Sequence, residues 1–288
     1  MREEANYSDK NAVHIIEAGA DAGTEADMFL DNQNETAEPA EDIRPYLQRL
    51  FQEAGISCGE RQADQLQRYL ELLREWNGKM NLTAITEPKE AAVKHFLDSA
   101  LLLRYLDESV SALEREGGSA GLPLRVIDVG TGAGFPGLVL KILRPDIRLT
   151  LLDSLRKRLL FLEEVCRELG VEAETVHARA EEGGRRPQLR CSFDAAVARA
   201  VAPMNLLTEY CMPFVRMGGS FFAMKGPNGK RELEEARCAV GQLGGRVART
   251  IEYDLPGGDR RSISEIRRVK PLSDVYPRPA AKIKKKPL

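Results

Sequence analysis

The sequence predicts an α/β fold: a mostly parallel sheet with an antiparallel hairpin at its end, preceded by a helical N-terminal cap. Three observations predict it. From Leu124 onward, short apolar runs alternate with helical stretches, as successive βα units require. The last two β-type runs, Gly245–Tyr253 and Arg261–Val269, lie close enough in sequence to pair as a hairpin. Between Pro45 and Leu106, by contrast, apolar residues recur at three- and four-residue steps, the period of helices.

The chain divides accordingly into an acidic extension (1–41), a helical cap (42–122), a sheet-bearing domain (123–272) and a basic C-terminal tail (273–288). The extension has few large apolar side chains and no sustained period, so disorder is expected there, with a short helix near Ala12–Ala18 at most. In the cap, Leu47, Leu50, Phe51 and Ala54 form one apolar stripe, which Gly55 stops. Leu66, Tyr69, Leu70, Leu73 and Trp76 form a second, which Asn77-Gly78 is expected to end. Trp76 reads as a core anchor. Pro88 opens a third helix, Lys89 to about Leu106, carrying Lys94, His95 and Asp98. Glu114 to Pro123, with its Gly-Gly-Ser-Ala-Gly run, reads as a linker.

The centre of the sequence is Leu124 to Gly137: a β-favouring run broken by Asp128, then Gly130, Gly132 and Gly134 alternating, then a helix with Pro136 in its first turn. Glycine permits positive φ and removes a Cβ that would block a ligand. A strand, a glycine turn and a helix open a nucleotide-binding unit. Asp153 strengthens that reading, because it ends the second apolar run and can accept the hydroxyls of a ribose; its bland alternative is a helix cap. A dinucleotide fingerprint fits only the late register Gly132, Gly134, Gly137. The natural register, Gly-x-Gly-x-Gly preceded by Asp128, resembles motif I of S-adenosylmethionine-dependent methyltransferases, and so a Rossmann-like methyltransferase sheet.

Further strands are expected over Val171–Val176, Phe193–Val197 and Ser220–Met224, with helices at Arg156–Leu169, Pro203–Pro213 and Lys230–Leu243. In an open parallel sheet the ligand sits beyond the carboxyl ends of the strands. Topology therefore brings Gly130–Gly134, Asp153, Arg179 with Glu181, Arg199 and Lys225 to one edge. Three cations there suit a phosphate-bearing substrate.

The formal net charge of −2 hides a division: residues 1–42 hold two basic and twelve acidic side chains, whereas residues 255–288 hold ten basic and three acidic. A basic C-terminal end suits a polyanion. No apolar run reaches membrane-spanning length, and no signal peptide is evident, so a cytoplasmic protein that does not engage membranes is expected. Five scattered cysteines, none in C-x-x-C, read as reduced thiols, and no metal site is expected. No motif for amino-group or covalent pyrimidine methylation is present. Guanine N7 has a free lone pair and no proton to remove, so an acceptor of that kind needs only alignment with the donor.

Several segments together resemble the bacterial small-subunit (16S) ribosomal RNA guanine-N7 methyltransferase family, also called glucose-inhibited division protein B. They are Asn81–Ile85, Lys94–Ser99, Asp128–Gly137, Ala178–Glu181, Ala198–Ala200, Met224–Gly226, and the ending Tyr276-Pro277-Arg278 through Leu288. The resemblance spans roughly residues 42–288. It implies methyl transfer from S-adenosyl-L-methionine to a guanine of 16S ribosomal RNA, free or in the small subunit, by an enzyme expected to be a monomer. Carried over by motif, Gly130, Gly132, Gly134 and Phe135 line the donor site and Ala180 with Glu181 meets the adenine end. Asp153 binds ribose. Arg199 lies by donor and base and, with Lys225, acts in positioning rather than as a general base. Arg179 and Lys225 are expected to contact RNA, with Asn81 and His95 as further candidates from the cap. The competing readings are a methyltransferase for another RNA or a small molecule, a nicotinamide-dependent dehydrogenase using the late glycine register, and a non-catalytic RNA-binding protein.

Overall fold

The computed structural model describes residues 41–115 and 123–288. The acidic extension, the Ala12–Ala18 helix and most of the expected linker lie outside them. The cap begins with α1 (Arg44–Glu53) and α2 (Glu60–Met80). A composite helix follows: α3 (Pro88–Ala91), a π-helical turn (Ala92–Leu97), α4 (Asp98–Ala100) and α5 (Leu102–Arg115). Strands and helices then alternate: β1 (Arg125–Val129), α6 (Gly137–Leu143), β2 (Arg148–Asp153), α7 (Arg156–Leu169), β3 (Glu174–His177), α8 (Ala180–Gly183), β4 (Phe193–Arg199) and α9 (Met204–Cys211). The chain continues through β5 (Val215–Lys225), α10 (Gly229–Glu235), α11 (Arg237–Gln242), β6 (Gly245–Asp254), β7 (Arg260–Arg268) and α12 (Ala280–Lys285).

The sheet runs β3-β2-β1-β4-β5-β7-β6, parallel through β5 and antiparallel in the hairpin beyond it. The switch point lies between β1 and β4, where the first glycine turn leaves the sheet. Each strand feeds both cores by two-residue alternation. Val126, Leu149, Leu151, Val197 and Phe222 pack with the cap helices and α7. Ile127, Val129, Leu152, Ala196 and Phe221 pack with the helices of the other face. The cap helices thus share their core with one sheet face, and Asp128 points to that same face.

Several boundaries differ from the sequence reading. Helix α2 runs through Asn77-Gly78 and stops at Asn81, whose left-handed conformation (φ 49°) lets its N–H return to Asn77 O. The Asn77 amide oxygen instead accepts from Thr83 N–H. The third helix extends to Arg115, because its apolar stripe continues past Leu106 with Val110, which packs against the core. The single helix expected over 230–243 breaks at Ala236. The C-terminal segment is seated on the fold: Ile283 is buried, and the Arg278 guanidinium pairs with buried Glu209. Trp76 packs against Phe161, 5.7 Å between ring centroids.

Candidate active site

The glycine turn is tied to the second strand, since Gly130 N–H and Thr131 N–H both donate to Leu152 O (2.8 and 3.1 Å). Gly130, Gly132 and Gly134 all take positive φ (72°, 59° and 96°). Their surroundings differ, however. A Cβ on Gly130 would meet Val201 Cγ2 at 2.8 Å, and one on Gly134 would meet the Tyr69 hydroxyl. A Cβ on Gly132 would find nothing nearer than 4.0 Å. The idea that glycine clears space for a ligand therefore applies to Gly132 alone. The other two make room for protein.

Asp128 organises this turn. Its Oδ2 accepts from Thr131 Oγ1 and from Gly137 N–H, both at 2.8 Å, and it is 1% exposed. Burial raises its carboxyl to about 6, against the opposing pull of those hydrogen bonds. Gly137 is glycine because a Cβ there would approach Asp128 Oδ2 to 2.8 Å. That contact accounts for the third glycine of the late register without a pyrophosphate. Asp153 is equally committed: Oδ2 accepts from Gly132 N–H and Oδ1 from Leu155 N–H, each at 2.9 Å. It supports the turn into α7 without being the N-cap, which is Leu155. Its Oδ2 stands at Gly132, the open position of the turn.

Phe135 is stacked rather than open. Its ring lies 4.5 Å from the His95 ring and 5.3 Å from that of Tyr69, and the Arg199 guanidinium sits 5.2 Å from its centroid. Arg199 donates to Asp98 Oδ2 (2.8 Å), to Lys94 O (3.0 Å) and to His95 Nδ1 (3.4 Å). The carbonyl of Lys94 lies in the π turn, a distortion that re-aims backbone groups. Asp98 Oδ1 in turn accepts from Tyr253 Oη at 2.8 Å.

The edge is less cationic than its sequence suggests. Arg199 is paired with Asp98, and Lys225 with Glu232 at 2.8 Å and with Ala202 O. Neither is a bare cation for phosphate, a correction to the sequence reading. Arg179 is exposed at the start of α8, with no ion pair among the described residues. Beside it Ala180 is half-buried. Glu181 is largely buried as a residue (9% exposed), and its carboxylate hydrogen-bonds to no described residue.

The two cap candidates fall differently. His95, a weaker RNA-contact candidate by resemblance, is 8% exposed, and its Nε2 meets Thr83 Oγ1 at 2.9 Å. Burial, aided by Arg199, lowers its pKa to about 3, so the ring is neutral and serves as a packing and hydrogen-bonding element. Asn81 is exposed at the C-cap of α2, where its backbone does the structural work. Sequence reasoning missed Tyr69, Asp98 and Tyr253 as parts of the site. Asp98 alone left a signal, one helical turn beyond Lys94 and inside the Lys94–Ser99 segment.

Among the described residues no group of three or more His, Cys, Asp or Glu side chains could hold a metal ion. No helix among them is long and apolar enough to cross a membrane.

Comparison with known proteins identifies the family. Residues 62–254 match the family model GidB, described as rRNA small subunit methyltransferase G. A protein of that name from Alkaliphilus oremlandii (strain OhILAs) is 46% identical over 249 residues, 86% of this chain and 99% of the relative. One from Alkaliphilus metalliredigens (strain QYMF) is 47% identical over 239 residues, 82% and 95% of the two chains. One from Symbiobacterium thermophilum is 49% identical over 227 residues, 76% and 87%. A family model that spans residues 62–254, together with these relatives, settles the family: the chain belongs to the GidB family of rRNA small subunit methyltransferases.

Proposed function

We propose that this chain methylates N7 of a guanine in 16S ribosomal RNA, in the cytoplasm and as a monomer, with S-adenosyl-L-methionine as donor. The observation that carries the site assignment is the opening at Gly132, whose N–H donates to Asp153 Oδ2, on the sheet edge that also carries Glu181. Asp153, held by two backbone N–H groups, retains acceptor capacity for ribose hydroxyls. Ala180 and Glu181 meet the adenine end, while Gly130 and Phe135 set the inner wall.

When bound, the donor supplies a sulfonium methyl group: the N7 lone pair forms the new C–N bond as the S–C bond breaks, leaving a neutral thioether and a cationic base, with no proton to move. The chain therefore needs no general base. Its task is alignment, which can supply several kcal/mol (~7 or more) of the barrier reduction. His95, neutral and buried, fits a positioning role toward Phe135 and Arg199. Arg199 and Lys225 act through placement, and exposed Arg179 meets the RNA backbone.

The test is transfer of label from radiolabelled S-adenosylmethionine to purified small subunits or their RNA, followed by nucleoside analysis. Label in 7-methylguanosine is the expected result. Label in another nucleoside, or none with either substrate, overturns the proposed acceptor.

A further inference from the structure

Two cations that topology brings to the site edge are each neutralised by a carboxylate of the chain itself. The Arg199 side chain is 15% exposed and pairs with Asp98, which is 3% exposed. The Lys225 side chain is 8% exposed and pairs with Glu232, which is 26% exposed. Each partner comes from a helix, Asp98 opening α4 and Glu232 within α10. Each carboxylate is also held by a second donor: Asp98 by Tyr253 Oη, and Glu232 by Met204 N–H at 3.0 Å. Across the edge stand two anions, Asp153 and Glu181. Arg158 approaches Asp153 only to 3.5 Å, and Arg179 lies outside, in solvent.

A site built to grip phosphate leaves its cations bare. This edge does the opposite with the two that are buried and reserves exposed charge for the rim. Such an arrangement suits a ligand that is itself a cation. A bare unit charge several ångströms from a sulfonium, in a partly buried site, weakens binding on the order of tenfold.

We propose that Asp98 and Glu232 are charge-compensating positioning residues, which neutralise Arg199 and Lys225 so that the cationic methyl donor is accepted at this edge. The inference rests on the donor-site reading given above. It assigns Arg199 and Lys225 a steric and hydrogen-bonding part, with their charge cancelled before the donor arrives.

The experiment is calorimetric titration of the full chain with S-adenosylmethionine and, separately, with S-adenosylhomocysteine, which differs by the lost methyl group and so has a neutral sulfur. The proteins are wild type, Asp98→Asn, Asp98→Glu and Glu232→Gln. In Asp98→Asn and Glu232→Gln the sulfonium ligand is expected to lose about tenfold more affinity than the thioether. In Asp98→Glu the wild-type ratio returns. A purely structural part for these carboxylates would weaken both ligands alike, and an unchanged ratio overturns the proposal. If Asp98→Asn does not fold, Glu232→Gln decides alone, since its carboxylate is the more exposed of the two. Failure of the wild-type chain to bind either ligand would instead remove the donor site, and this proposal with it.

Discussion

The hydroxyl of Tyr69, on the second cap helix, donates to the carbonyl of Ala133, inside the glycine turn of the sheet. The turn that borders the candidate site is therefore shaped in part by a residue 64 positions earlier. Gly134 has no Cβ because that hydroxyl occupies the space, with Leu162 Cδ2 at 2.9 Å beside it. Gly134→Ala should destabilise the protein by about 2–3 kcal/mol, from the left-handed φ and the overlap together. Tyr69→Phe should lose roughly 1–2 kcal/mol by stranding a buried carbonyl. The double variant should lose less than the sum, because the phenylalanine vacates the clashing position. Urea unfolding of the four proteins measures the coupling, and strict additivity would show that the two residues do not share this space.

Asp128 makes the stability of the turn depend on pH. Its folded carboxyl is held up at about 6, above the ordinary 3.8, because burial disfavours the anion. The sign follows directly: the folded state binds the proton more tightly, so this contribution is fully present below about pH 4 and is lost as pH rises through 6. Asp128→Asn should remove that dependence while keeping both hydrogen bonds, since Thr131 and Gly137 donate to the same oxygen. The wild-type minus variant difference in unfolding free energy should fall by about 1–3 kcal/mol between pH 4 and pH 7. A flat difference would show that the Asp128 proton is not linked to folding.

The strand-tip residues were legible in the sequence because a parallel sheet leaves no choice about where its strands end. Gly130–Gly134, Asp153, Arg199 and Lys225 could be assigned to one edge from the order of apolar runs alone. What those side chains do there was not legible. Whether a cation is bare depends on partners that sequence proximity does not reveal: Asp98 lies 101 residues from Arg199, and Tyr253 lies 155 residues from Asp98. His95 shows the same limit. The resemblance made it a weaker RNA-contact candidate, but Thr83 and Phe135 enclose it. Asn77-Gly78 failed as a stop signal because a helix ends where a residue can turn left-handed and recapture a carbonyl, and here Asn81 does both.

The Asp98–Arg199 pair changes what Arg199→Ala is expected to do. From sequence alone, such a variant should stay folded and lose activity. In the structure it strands an almost fully buried carboxylate, a loss of about 3 kcal/mol or roughly 10 °C in Tm. Replacing both partners by leucine should recover much of that stability, because a buried ion pair is often no better than an apolar pair of similar volume. Methyl transfer should stay lost in both. Recovery of transfer in the double leucine variant would remove Arg199 from the site, whereas recovery of stability without transfer separates its two roles.

The C-terminal tail contains an anchor and a charged face, and the two should separate by mutation. Arg278 donates to Glu209 through Nε and Nη2, and its own backbone N–H reaches the same carboxylate at 2.8 Å. Ile283 is fully buried beyond it, while Lys282, Lys284, Lys285 and Lys286 are exposed around that one apolar contact. Arg278→Ala should therefore cost about 3 kcal/mol of stability by leaving Glu209 buried and unpaired. Changing the four lysines to glutamine should leave unfolding within about 0.5 kcal/mol of wild type, as surface substitutions do. It should nonetheless weaken binding to small-subunit RNA and flatten its salt dependence, since each lost phosphate contact reduces the slope of log K against log salt by about 0.7 to 0.9 from single-strand to B-form duplex charge density. Filter binding at several salt concentrations reads that slope. If the slope is unchanged, the tail serves only to close the fold over α9, and the polyanion is held elsewhere on the rim.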